Sequence, residues 1–93
     1  MNFIEIFNYV AKIARPAHAA ITVATSMEDT FQDIGLDSLD GLVMLMYLTD
    51  IYGVDEIVSK EWSPTTVGEI FDLLMTNKTK EPASMEEVIE VCK

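Results

Sequence analysis

Ser38 follows the turn Gly35-Leu36-Asp37 and opens a run of apolar residues at helical spacing. A hydroxyl at the first position of a helix lies at the edge of a fold. The partial positive charge of the helix end favours a phosphate bonded there. Gly35 allows the sharp turn just before it. The placement would favour a phosphate on the Ser38 hydroxyl. Asp37 and Ser38 are also good N-cap residues, which is the commoner role for such side chains. The two roles are compatible, because Asp37 can cap while Ser38 is modified.

No second constellation competes with this one. The single histidine, His18, lies in an Ala-rich stretch, and no partner at a telling distance completes a Ser-His-Asp or Cys-His set. Cys92 belongs to an apolar stripe near the end of the sequence. Asp33, Asp37 and Asp40 lack the glycine and distal glutamate of a calcium loop, and no Cys or His cluster suits zinc. The expectation is therefore a protein that is not itself an enzyme and holds no metal.

The stretch Thr30-Phe31-Gln32-Asp33-Ile34-Gly35-Leu36-Asp37-Ser38-Leu39-Asp40 resembles the attachment motif of the acyl carrier protein family. In that pattern a glycine turn leads through Asp-Ser-Leu into a helix, with a hydrophobic residue and an acid just upstream. Thr65-Thr66-Val67 stand at the family's usual distance, opening its last helix, and the resemblance covers about residues 3 to 76. It implies that Ser38, flanked by Asp37 and Leu39, carries a covalent 4'-phosphopantetheine arm. A phosphopantetheinyl transferase using Mg²⁺ and coenzyme A would make the Ser38 hydroxyl attack the pantetheine-side phosphate, leaving a phosphodiester. The arm's thiol would hold acyl groups as thioesters, and catalysis would belong to partner enzymes of fatty-acid, specialised-lipid or polyketide synthesis. Aminoacyl and peptidyl carriers usually have a second glycine where this chain has Leu36-Asp37, which favours acyl cargo. Two other readings stay open: an aminoacyl or peptidyl carrier, and a non-carrier helical module that only binds a protein partner.

The elements that must position Ser38 are legible as periodicity. Phe3, Ile6, Phe7, Val10, Ile13 and Ala14 recur at helical spacing until Arg15-Pro16 closes the segment. Residues 17–37 have no sustained period and read as a long loop anchored by Ile21, Val23, Phe31 and Ile34. A second helix is expected from Asp37, as its cap, to about Tyr52, where Gly53 ends it. Glu56 to Glu61 suggest a short third helix. Thr66 and Glu69 have capping-box spacing before the stripe Val67, Ile70, Phe71 and Leu74. After a polar linker from Asn77 to Ala83, Ser84 and Glu87 repeat that spacing before Met85, Val88, Ile89 and Cys92. The expected fold is all-α: a small acyl-carrier-type helical bundle of three main helices plus a short one, with a long loop after the first helix and a possible extra C-terminal helix. Residues 1–76 are expected to form the carrier domain, and residues 77–93 the linker and a short amphipathic segment that either docks on the bundle or frays as a tail.

Charge bears on the partners. Between Glu28 and Asp72 eleven acids face Lys60 alone, so this stretch holds the chain's entire net charge of −10. Such a surface repels nucleic acid and anionic lipid and attracts proteins with basic patches. The start of the sequence has neither a signal peptide nor a membrane-spanning run, and the one cysteine leaves no intrachain disulfide, so a cytoplasmic monomer is expected. The second helix is apolar on two sides. Gly41, Met44, Leu45, Leu48 and Tyr52 share one face, expected to be core or the lining of an acyl cavity, since both fit these residues. Leu39, Leu42, Val43, Met46 and Asp50 share the other. In fatty-acid carriers the second face is a docking surface studded with glutamates, and this chain has Val43 and Thr49 there, keeping only Asp50. The resemblance thus points to a specialised member whose partners dock through Leu42, Val43 and Met46 and are steered by Asp33, Asp40 and Asp50.

Overall fold

The computed structural model describes residues 2–14, 24–36 and 38–92, with Ser38 placed by its backbone alone, and these described residues form five helices. The period of the first apolar run becomes the buried face of α1 (Phe3–Ala14), carried by Phe3, Ile6, Phe7, Val10 and Ala11. Asn2 starts it by accepting a hydrogen bond from the Glu5 amide at 3.0 Å. The second run forms α2 (Ser38–Tyr52), and Gly53 stops it in the left-handed conformation, φ 64°, which favours glycine. Asp55 caps the single turn α3 (Glu56–Ser59), which is shorter than the expected 56–61. Then come α4 (Val67–Asn77) and α5 (Met85–Val91).

Ring contacts fix the directions. Phe3 packs against Tyr52 at the end of α2, with centroids 6.3 Å apart, and Phe7 stacks on Phe31, ahead of the start of α2, at 5.8 Å. So α1 runs antiparallel to α2. α4 starts beside residues 27–31 and finishes at Lys78 and Thr79, whose neighbourhood meets Tyr52, so it runs parallel to α2. The core formed between them includes Phe7, Val10, Met44, Leu48, Val67, Ile70 and Leu74, none measurably exposed. Among the described residues no helix is long and apolar enough to cross a membrane.

Three expectations need amendment. Thr66 and Ser84 do cap α4 and α5, accepting from the Glu69 and Glu87 amides, but the glutamates reach back chiefly to the residue before each cap. Glu69 accepts from the amide and hydroxyl of Thr65, and Glu87 from the amide of Ala83, one residue earlier in each case. The segment after α4 is no free tether, because the Thr79 and Lys80 amides both donate to the Tyr52 carbonyl and the Thr79 hydroxyl donates to Gly53 O. α5 docks on α2, burying Val88 and Cys92, whereas Ile89 from the same predicted stripe stays 37 % exposed. The Arg15-Pro16 stop, His18 and the anchors Ile21 and Val23 lie outside the described residues.

Candidate functional site

Ser38 is the first residue of α2, and the segment before it is held from several directions. Residues 31–35 form tight turns in which the Ile34 amide donates to Thr30 O at 3.3 Å and the Leu36 amide to Phe31 O at 2.9 Å. Gly35 has φ 83°, where a side chain would strain the backbone. Ile34 and Leu36 sink into the core and fasten the turn to it. The whole loop is tied to the start of α4: Phe31 N donates to Thr65 O, Val67 N to Asp29 O, and Thr30 and Thr66 form an isolated antiparallel bridge. Farther back, the Asn8 side chain accepts from the Ala24 amide at 2.9 Å and donates to its carbonyl at 3.0 Å, pairing the loop to α1. Position 38 is thereby fixed relative to three helices. The Asp37 cap and the exposure of the Ser38 hydroxyl lie outside the described residues.

Around this position the exposed face of α2 carries Leu39, Leu42 and Met46, which are 67 %, 57 % and 64 % exposed. Val43 is half-buried at the edge of this face, and Asp33 and Asp50 are exposed, with Asp40 intermediate. Neither α5 nor the described part of the long loop covers the patch. Thr49 does not belong to it. Thr49 is buried, its hydroxyl donating to Met46 O at 3.1 Å and its carbonyl accepting from Val54 N, because the turn into α3 folds over it. The opposite face is core as expected for Met44, Leu48 and Tyr52, while Leu45 sits half-buried at the margin.

That margin borders a groove of about 320 Å³ between α2 and the segment leading into α4, lined by Phe31, Gly41, Leu42, Leu45, Trp62 and Pro64 among others. Positions 38, 41, 42 and 45 are spaced three, four and seven apart, so the groove begins on the helix face that position 38 occupies. Trp62 was absent from the sequence-derived site. Its only signal was an indole beside the Ser63-Pro64 break, and that gave no hint that the return loop lays it against α2.

Electrostatics at the site come from carboxylates. The Thr65 amide and hydroxyl hold the Glu69 carboxyl below the usual glutamate range, so it remains ionised beside the loop that supports Ser38. At the other end of α2, burial and then the nearby Asp50 charge push the Cys92 thiol up, which keeps it protonated and a poor nucleophile. Among the described residues no group of three or more His, Cys, Asp or Glu side chains is placed to hold a metal ion. No protein-family model, curated protein or solved structure matches this chain.

Proposed function

We propose that the protein is an acyl carrier in which Ser38 receives a 4'-phosphopantetheine arm from a phosphopantetheinyl transferase and holds acyl thioesters for partner enzymes. The observation that carries this reading is the position of Ser38. It is the first residue of a 15-residue helix, directly after a turn that Gly35 makes sharp and Ile34 and Leu36 anchor. A phosphodiester there would lie in the positive field of the helix end, close to first-turn amides that have no partner within the helix. The groove beneath Trp62 begins one turn along from Ser38 and offers apolar shelter to a group on a flexible arm. An acyl chain lying there would exchange water for Phe31, Leu45 and Trp62, gaining about 25 cal/mol for each Å² of apolar surface covered.

The arrangement of three long helices with a one-turn helix before the last fits the acyl-carrier-type bundle that the motif implies. Partner enzymes would meet Leu39, Leu42 and Met46 directly and be steered by Asp33, Asp40 and Asp50, so apolar contact would set residence time and charge would set encounter. The exposed apolar patch also favours a second reading, an interaction module that carries nothing. Coexpression with a broad-specificity phosphopantetheinyl transferase separates the two by intact mass. One added arm supports the carrier. An unmodified chain under conditions that load a known carrier leaves the interaction module.

A further inference from the structure

A cavity of about 590 Å³ opens where the start of α1, the end of α2 and the middle of α4 meet, walled by Phe3, Ile6, Met27, Phe71 and Met75. Its size falls within the range of small-molecule sites, about 300–1,000 Å³, and like them it is apolar with few polar groups. Tyr52 supplies one of these. Only 4 % of Tyr52 is exposed, and among the described residues none hydrogen-bonds its hydroxyl and no sealed side-chain polar atom lacks a partner, so the hydroxyl opens into the cavity it lines. Glu81 stands at the rim, its carboxylate paired with Lys78 Nζ at 2.8 Å. Burial and the Glu81 charge both keep the Tyr52 hydroxyl protonated. Tyr52 ends α2, about 21 Å along the helix from Ser38 at 1.5 Å per residue.

We infer that this cavity is a second binding site, separate from Ser38, for a small uncharged amphiphile: a medium-sized aliphatic or aromatic body ending in a hydroxyl or amide that bonds the Tyr52 hydroxyl. Each feature narrows the class. The aromatic and aliphatic wall requires an apolar body. Water reaches the Tyr52 hydroxyl through the open cavity, and an apolar body that displaced this water without replacing its bond would leave the hydroxyl unpaired at a cost, so the head must donate or accept a hydrogen bond. A carboxylate head is opposed by the chain's net charge of −10. A charged head of either sign would exchange its hydration for the neutral Tyr52 hydroxyl and Asn2 amide, while Glu81 is already paired with Lys78, which disfavours ions.

The test uses the full chain with ¹³C-labelled methionine methyls, titrated with 1-octanol, octanoate, octylamine and toluene. Met27 and Met75 line the cavity, while the exposed Met46 lies outside it and reports non-specific association. Octanol should shift the Met27 and Met75 signals saturably and leave Met46 in place, with octanoate and octylamine binding more weakly. Tyr52→Phe, which keeps the ring packing, should weaken octanol binding about threefold to tenfold, the range of one neutral hydrogen bond. Toluene, lacking a polar head, should bind wild type and variant alike. The inference is overturned if the Met27 and Met75 signals do not saturate, if octanoate binds as tightly as octanol, or if Tyr52→Phe leaves octanol affinity unchanged. Shifts at Met27 and Met75 on dilution alone would mean that a second copy of the chain fills the cavity, and would overturn it equally. Because no arm is needed, the outcome is independent of loading at Ser38.

Discussion

Val88 is the single fully buried side chain of α5, so truncating it measures how strongly the C-terminal helix is held. A seven-residue helix has almost no stability of its own in water, and its order must come from packing on α2. Val88→Ala removes two buried methyl groups, each worth about 0.8 kcal/mol, and leaves a small cavity, for a loss of about 2 kcal/mol. In a domain of this size that corresponds to a melting temperature about 8–16 °C lower. The loss has a ceiling, because α5 can detach as a unit once its docking energy is spent. Deleting residues 79–93 removes that whole docking energy, together with the amide bonds from Thr79 and Lys80 to the Tyr52 carbonyl, and so bounds the Val88→Ala effect from above. Ile89→Ala is the control: the same helix, a larger side chain, but 37 % exposed, with a cost below about 1 kcal/mol. Thermal unfolding followed by circular dichroism reads all three. The reasoning is refuted if Val88→Ala and the deletion both melt within about 2 °C of wild type, or if Ile89→Ala costs as much as Val88→Ala.

Three further outcomes follow from the same geometry. Gly53→Ala forces φ 64° on a residue with a Cβ and drives that Cβ into the Thr79 hydroxyl, so chemical denaturation should show a loss above about 1 kcal/mol. Glu69 has a folded-state pKa below its unfolded one, so its contribution is present above the unfolded value and is lost as pH falls through the folded value. The stability gap between wild type and Glu69→Gln, measured by urea unfolding, should therefore close on acidification, and a gap independent of pH would contradict this. Met46→Glu, at an exposed position, should leave the fold and Ser38 loading intact while weakening the native partner enzyme's turnover of the loaded carrier; unchanged turnover would place Met46 outside the contact. Met46 is a cleaner probe than the half-buried Val43, where a glutamate also carries a desolvation cost.

Local signals in the sequence accounted for much of the helical framework. The spacing of Phe3, Ile6, Phe7 and Val10 determined α1, Gly53 marked the end of α2, and Thr66 and Ser84 were caps because their short hydroxyls reach free amides. The two faces of α2 also separated as periodicity implied, with Met44 and Leu48 inward and Leu42 and Met46 outward. What escaped depends on contacts between distant residues. Nothing in one strand of text says that Asn8 will pair with the backbone of Ala24, that Thr79 will lock onto Gly53, or that Trp62 will return to flank α2. Thr49 was assigned to the docking face by its match to the carrier family's pattern, and the turn into α3 removes it from that face by covering it. α5 showed its amphipathic stripe, but whether a stripe of that length docks is decided by its packing against α2, which periodicity does not describe.

The central claim concerns one hydroxyl. Wild type and Ser38→Ala should be coexpressed with the same broad-specificity phosphopantetheinyl transferase, matched for fold by their melting curves, and compared by intact and fragment mass. The account predicts a single phosphopantetheine arm on the fragment containing Ser38 in the wild type, and none anywhere in the alanine variant. An arm still present on Ser38→Ala, or a folded wild type that takes none where a known carrier is fully loaded, would contradict it.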